Sequence, residues 1–94
     1  MDKINIHKKI CEELNAIYEI KNERYNDSFG DSFKEYGLLN ARIRLDDKMK
    51  RFKALSTDKK LDNQLDENIE DTLKDLANYC IMTIIELRGG NNEH

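Results

Sequence analysis

The chain has 94 residues, of which 37% are Asp, Glu, Lys or Arg, and a formal net charge of −3. That length makes one domain and not two. The slightly acidic balance excludes a general nucleic-acid binder, which needs a basic surplus to neutralise phosphates. Proline is absent, glycine occurs four times and aromatic residues make up 7% of the chain. Few helix breakers and few strand formers together predict an all-α fold.

The most apolar stretch, Leu76 to Leu87, is interrupted by Asn78 and Thr83. It is far shorter than the roughly 20 apolar residues that span a bilayer, so no membrane partner is expected. The first ten residues, MDKINIHKKI, hold no apolar leader segment, which points to the reducing cytoplasm. Cys11 and Cys80 fall on or beside apolar helical stripes, where cysteine acts as a small hydrophobe rather than a disulfide partner.

Three helices are expected, in an antiparallel bundle over residues 1–90, with 91–94 as a disordered tail. The first runs from about Ile4 to Tyr25, with Ile6, Ile10, Leu14 and Ile17 as its apolar stripe. It ends in the turn-rich cluster Asn26 to Ser32. Ser32 and Glu35 read as a capping box for a short helical turn before Gly37. The second helix runs from about Leu38 to Leu55, its stripe being Leu38, Ala41, Leu45, Met49 and Phe52. Ser56 to Asp66 is expected to be a polar loop.

The third helix starts near Glu67 or Asn68, where acidic residues complement the helix dipole, and stops at Arg88 before Gly89-Gly90. Ile69, Leu73, Leu76, Cys80, Ile84 and Leu87 share one face. Asp71, Asp75 and Asn78 lie opposite, and that opposite face continues as Met82 and Ile85. A helix apolar on both sides is normally covered on both sides. Two other helices of one short chain do this only if, in a monomer, they sandwich the third between them. A homo-oligomer is therefore expected, with a second subunit on Met82 and Ile85.

The spacing of Asp71 and Asp75 makes their side chains neighbours. Paired carboxylates of this kind suit Mg²⁺ or Mn²⁺, and Glu67 and Asn78 lie one turn either side. A solvated acidic face explains the same residues without a metal. Lys21 interrupts the apolar stripe of the first helix, with Tyr25 one turn later. Its ammonium either reaches out to water or neutralises a carboxylate or phosphate. Glu12, Glu19 and Glu23 point to solvent. Arg42 and Asp46 pair at i, i+4 in a charged patch with Asp47, Lys48 and Arg51. The basic run Lys48 to Lys53 either meets phosphates or is a solvated face. His7 and His94 have no zinc-ligand spacing with the cysteines.

Three stretches taken together carry a resemblance: Lys21-Asn22-Glu23-Arg24-Tyr25-Asn26-Asp27-Ser28-Phe29, Arg44-Leu45-Asp46-Asp47-Lys48-Met49-Lys50-Arg51, and Asp66 to Tyr79. In this order, over roughly Cys11 to Leu87, the chain resembles the nucleotide modification associated domain 1 family of phages and prophages. Asn26 stands where the family usually has glycine. That family is distantly similar to the MazG-like all-α nucleoside triphosphate pyrophosphohydrolases, helical oligomers that hold Mg²⁺ with carboxylates. The resemblance implies a nucleotide-binding protein of the host-cell cytoplasm. If it is an enzyme, Asp71 and Asp75 are catalytic and hold Mg²⁺ or Mn²⁺ with Glu67 or Asn78, Lys21 and Arg51 contact phosphates, and Tyr25 stacks on a base. Thr72 stands three residues before Asp75, where the hydrolase pattern has glutamate. Two alternatives stay open: a non-catalytic protein that sequesters a nucleotide used in antiphage defence, and a helical protein-interaction adaptor.

Overall fold

The computed structural model describes residues 2–57 and 62–89, with only the backbone described over 62–68. The chain is all-helical, in four helices rather than three: α1 (Lys3–Tyr25), α2 (Ser28–Tyr36), α3 (Leu38–Thr57) and α4 (Asp62–Leu87). The additional element is α2, a full helix where one turn was expected. Its cap is not Ser32, which lies inside it. Asp27 caps it by accepting a hydrogen bond from the Gly30 N–H at 3.2 Å. A Cβ on residue 30 would meet that carboxylate at 2.3 Å, so the cap and the glycine belong together. Phe29 is buried, with its ring 5.8 Å from that of Tyr79 on α4 and 6.3 Å from that of Phe33. That burial holds α2 against the body.

α4 begins at Asp62, earlier than Glu67, because the polar run before Glu67 contains no breaker. The rest of the expected loop, residues 58–61, and the expected tail, 91–94, lie outside the described residues.

α3 and α4 form the most extensive helix pair, α2 packs on both, and α1 touches α4. Asn78 Nδ2 donates to the Leu14 carbonyl at 3.1 Å, and Lys74 Nζ reaches Glu13 at 2.9 Å and Glu70 at 3.0 Å. These contacts fasten α1 at its middle. Everything on α1 before Leu14 is exposed, Ile6 and Ile10 included, so the expected stripe is covered only at Leu14 and in part at Ile17.

The turns between helices are short, and both need unusual backbone. Gly37 has φ 66° and ψ −149°, and Asn26 has φ 57° and ψ −150°. This is not the left-handed helical region that asparagine tolerates. It is the mirror of extended backbone, which glycine occupies almost alone. Asn26 therefore stores strain.

The faces of α4 are reversed from the sequence expectation. Thr72, Asp75, Tyr79, Met82 and Thr83 turn inward or stand half-buried. The stripe expected in the core is largely bare, with Ile84 48% and Leu87 60% exposed. Cys80 is exposed too, as is Cys11, and neither is bonded. The physical reason is that the inward side carries the groups that bond to α1 and α3. Among the described residues, the buried apolar side chains are Leu14, Phe29 and Ala41.

Two outcomes follow. Asn26→Gly relieves a conformation that costs about 1–3 kcal/mol, less the entropy cost of glycine, and should stabilise the fold by about 1 kcal/mol in urea unfolding; an unchanged or lower midpoint would count against the strain. Hydrogen bonds to Glu13 and then Glu70 hold the Lys74 ammonium well above the usual lysine range. Folding therefore favours the bound proton, and the contribution is intact below the ordinary lysine value and lost as pH rises through the folded one. The stability difference between wild type and Lys74→Met should be flat from about pH 6 to about pH 9 and shrink only in stronger alkali; a gap closing near neutrality would sink this account.

Candidate functional site

A cleft of about 230 Å³ opens where the C-terminal end of α1, the α1–α2 turn, α3 and α4 meet. α1 supplies Tyr18, Lys21, Asn22 and Tyr25, whose spacing puts them on one side of the helix. Asn26 and Asp27 form the turn, Phe29 and Ser32 come from α2, and Asn40 and Arg44 from α3. Asp75, Asn78, Tyr79 and Met82 come from α4.

Asp75 organises the charge. Its Oδ1 is 3.2 Å from Lys21 Nζ on α1, and its Oδ2 is 3.2 Å from Lys48 Nζ on α3. The carboxylate is 29% exposed, so the pairs are only partly screened. Lys21 therefore neutralises a carboxylate rather than only reaching out to water. The lining itself carries two cations (Lys21 and Arg44) and two anions (Asp27 and Asp75), and Lys48 reaches Asp75 from beside it. Asp27 is already engaged in capping α2.

The polar lining is not fully satisfied. Asn40 Nδ2 is buried without a hydrogen-bond partner. A buried donor left unpaired costs about 1–3 kcal/mol, a cost that a ligand acceptor would remove. Asn78, which also lines the cleft, donates its amide Nδ2 to the Leu14 carbonyl.

Four of the expected site residues, Lys21, Tyr25, Asp75 and Asn78, line this one cleft. Asp71 is exposed and is not part of the lining. Arg51 is exposed on α3, about a turn beyond Lys48, and is likewise outside it. The side chain of Glu67 lies outside the described residues. Among the described residues, no group of three or more His, Cys, Asp or Glu side chains is placed to hold a metal ion. Asp46 bonds Lys50 at 3.0 Å rather than Arg42, while Glu12, Glu19 and Glu23 are exposed as expected. No described helix is long and apolar enough to cross a membrane.

Sequence reasoning missed Asn40 and Arg44 as site residues and Lys48 as the partner of Asp75. Their i, i+4, i+8 spacing was a usable signal, because it marks one polar stripe beside the apolar one on α3. It also missed the aromatic wall of Tyr18, Phe29 and Tyr79, because helical spacing cannot tell a cleft wall from a core.

Residues 21–87 match the family model described as nucleotide modification associated domain 1. The chain belongs to that family. The matched span opens at Lys21, later than the expected Cys11, and closes at Leu87 as expected. Every cleft residue named above except Tyr18 falls inside the family's span, whereas the exposed N-terminal half of α1 falls outside it. No curated protein and no solved structure matches the chain.

Replacing an unpaired buried amide by an apolar group of similar shape removes its desolvation cost. Asn40→Leu should therefore leave the ligand-free fold as stable as wild type, or more stable by about 1 kcal/mol. Thermal unfolding reads this directly, and a loss above that size would show that the amide is satisfied in solution.

Proposed function

We propose that the cleft binds a nucleotide. One observation carries this reading: cations, aromatic faces and an unpaired buried donor converge in a single cleft of an otherwise acidic chain. Lys21 and Arg44 offer charge-assisted hydrogen bonds to phosphate oxygens. Tyr25, exposed at the rim, offers a ring on which a base stacks. Asn40 brings to the lining an amide whose Nδ2 would gain a partner by turning toward a ligand acceptor. Arg51 continues the basic row of α3 beyond the cleft, so it would serve the distal phosphates of a longer ligand. The family's association with nucleotide modification supports the same class of ligand.

A hydrolytic reading adds Mg²⁺ or Mn²⁺ and relates the chain to the MazG-like pyrophosphohydrolases. The metal would neutralise a triphosphate and activate a water. Asp75 and Asn78 favour it, since both face the cleft. The described donors fit it poorly. They amount to one carboxylate, shared between two ammoniums, and one amide oxygen, whereas Mg²⁺ asks for near-octahedral oxygen ligation. The donor set favours binding without turnover. Its biological form is a phage or prophage protein that sequesters a nucleotide in the host cytoplasm.

Titration calorimetry with a panel of nucleoside mono-, di- and triphosphates, together with pyrophosphate release in Mg²⁺ or Mn²⁺, tests both readings. Lys21→Ala and Arg44→Ala should each weaken nucleotide binding about tenfold, the worth of one charged hydrogen bond. Asp75→Asn separates the readings. Freed of their carboxylate, Lys21 and Lys48 should bind the anion roughly threefold to tenfold more tightly if the protein only binds. Loss of pyrophosphate release in the same variant would establish hydrolysis instead. No heat and no turnover with any nucleotide would defeat the proposal.

A further inference from the structure

The side of the α3–α4 pair that faces away from the cleft holds a shallow apolar groove. Leu39, Ile43, Leu45 and Met49 of α3 and Leu76 and Cys80 of α4 line it, with Arg42 and Asp46 beside them. On α4 the apolar surface runs on through Ile84 and Leu87. Ile43 is 51% exposed, and Leu39, Met49 and Leu73 also stand open to water. Soluble monomers rarely expose an apolar patch this continuous. α1 and α2 cannot cover it, since both pack elsewhere.

We infer that a second copy of this chain docks in this groove, in a two-fold contact that pairs each Arg42 with the partner's Asp46. Three observations select a copy over another partner. The first is charge. An isologous contact needs a self-complementary patch. One cation and one anion a turn apart, with apolar residues between and around them, form such a patch when its copy runs antiparallel. Arg42 makes no ion pair among the described residues, and Asp46 is engaged only by the exposed Lys50. The second is size. The apolar surface runs from Leu73 to Leu87 on α4, which is about 21 Å. Two helices wide, it presents about 400 Å² in projection, and more in accessible area, a large part of the roughly 800 Å² per partner of a stable complex. The third is the scarcity of core. A chain whose buried apolar side chains are so few among the described residues gains most from a partner that supplies the same apolar surface in return.

This inference is independent of the nucleotide reading, because the groove and the cleft lie on opposite sides of α3. It also replaces the sequence expectation that Met82 meets the second subunit, since Met82 lines the cleft of its own chain.

Analytical ultracentrifugation of the full chain between about 1 and about 100 μM should show a dimer. Ile43→Glu places a charge in the groove without touching the core. Circular dichroism should show its helix content unchanged, while its dimer dissociation constant rises tenfold or more, on the order expected for a desolvated interface charge. Arg42→Glu and Asp46→Arg should each weaken the dimer about tenfold, and the double swap should restore it, because only the pairing between copies recovers when both signs change. Maleimide labelling supplies a readout within the native chain: Cys80 should be protected at high protein concentration while Cys11 stays reactive. A lone subunit at about 100 μM, a dimer indifferent to Ile43→Glu, or a double swap that does not restore association would each overturn the inference.

Discussion

α4 has more apolar circumference than one chain of this size can cover, and the rest of the structure is arranged around that constraint. A helix can be enclosed only by elements that reach it, and each element has one stripe to offer. α3 takes one side of α4. α2, through Phe29, takes part of a second, and α1 reaches it from its middle turns to Lys21. The remaining side is left to water in the isolated chain. The choice of which side to cover was made by polar groups. Asp75, Asn78 and Lys74 have partners on α1 and α3, whereas the aliphatic stripe on the other side has none. A directional bond to a neighbouring helix thus decided the rotation of α4, even though its net contribution is small beside apolar burial.

The same bonds create the cleft. Asp75 draws an ammonium from α1 and another from α3 toward one point, and three helices converge there without closing. An ion pair at a partly exposed site contributes little to stability. Its larger consequence is positional. Two cations are held beside a third, Arg44, against the like-charge repulsion that would otherwise spread them. A cluster of three cations at and beside one cleft, in a chain of net charge −3, is therefore a by-product of the way the helices are fastened.

The cleft also concentrates features that work against stability. Asn26 sits in backbone that suits glycine, and Asn40 keeps a buried amide without a partner. Both line the same cavity, along with the α2 cap at Asp27. Costs of this kind persist where surrounding structure over-determines them, and functional sites are where they gather. Ligand contacts would repay the amide, which links the least favourable local features of the fold to the reading of the cleft as a binding site.

The sequence by itself determined that the chain is helical and where most helices lie, because breaker scarcity and apolar periodicity are local properties written along the backbone. It also singled out Lys21, Tyr25, Asp75 and Asn78, since a cation in an apolar stripe and an acidic face on an otherwise apolar helix are anomalies visible at helical spacing. Tertiary structure alone decided which face of α4 turns inward, because the polar groups of one side find partners on other helices while the more apolar stripe opposite finds none. It decided the entry of Asn40, Arg44 and Lys48 into the site and the absence of Asp71 from the cleft, which depend on how far α3 is rotated against α4. It decided α2 as well, where the burial of one phenylalanine and one aspartate cap outweighed a turn-rich sequence. Periodicity fixes which residues share a side of a helix; only packing against another helix fixes which way that side points.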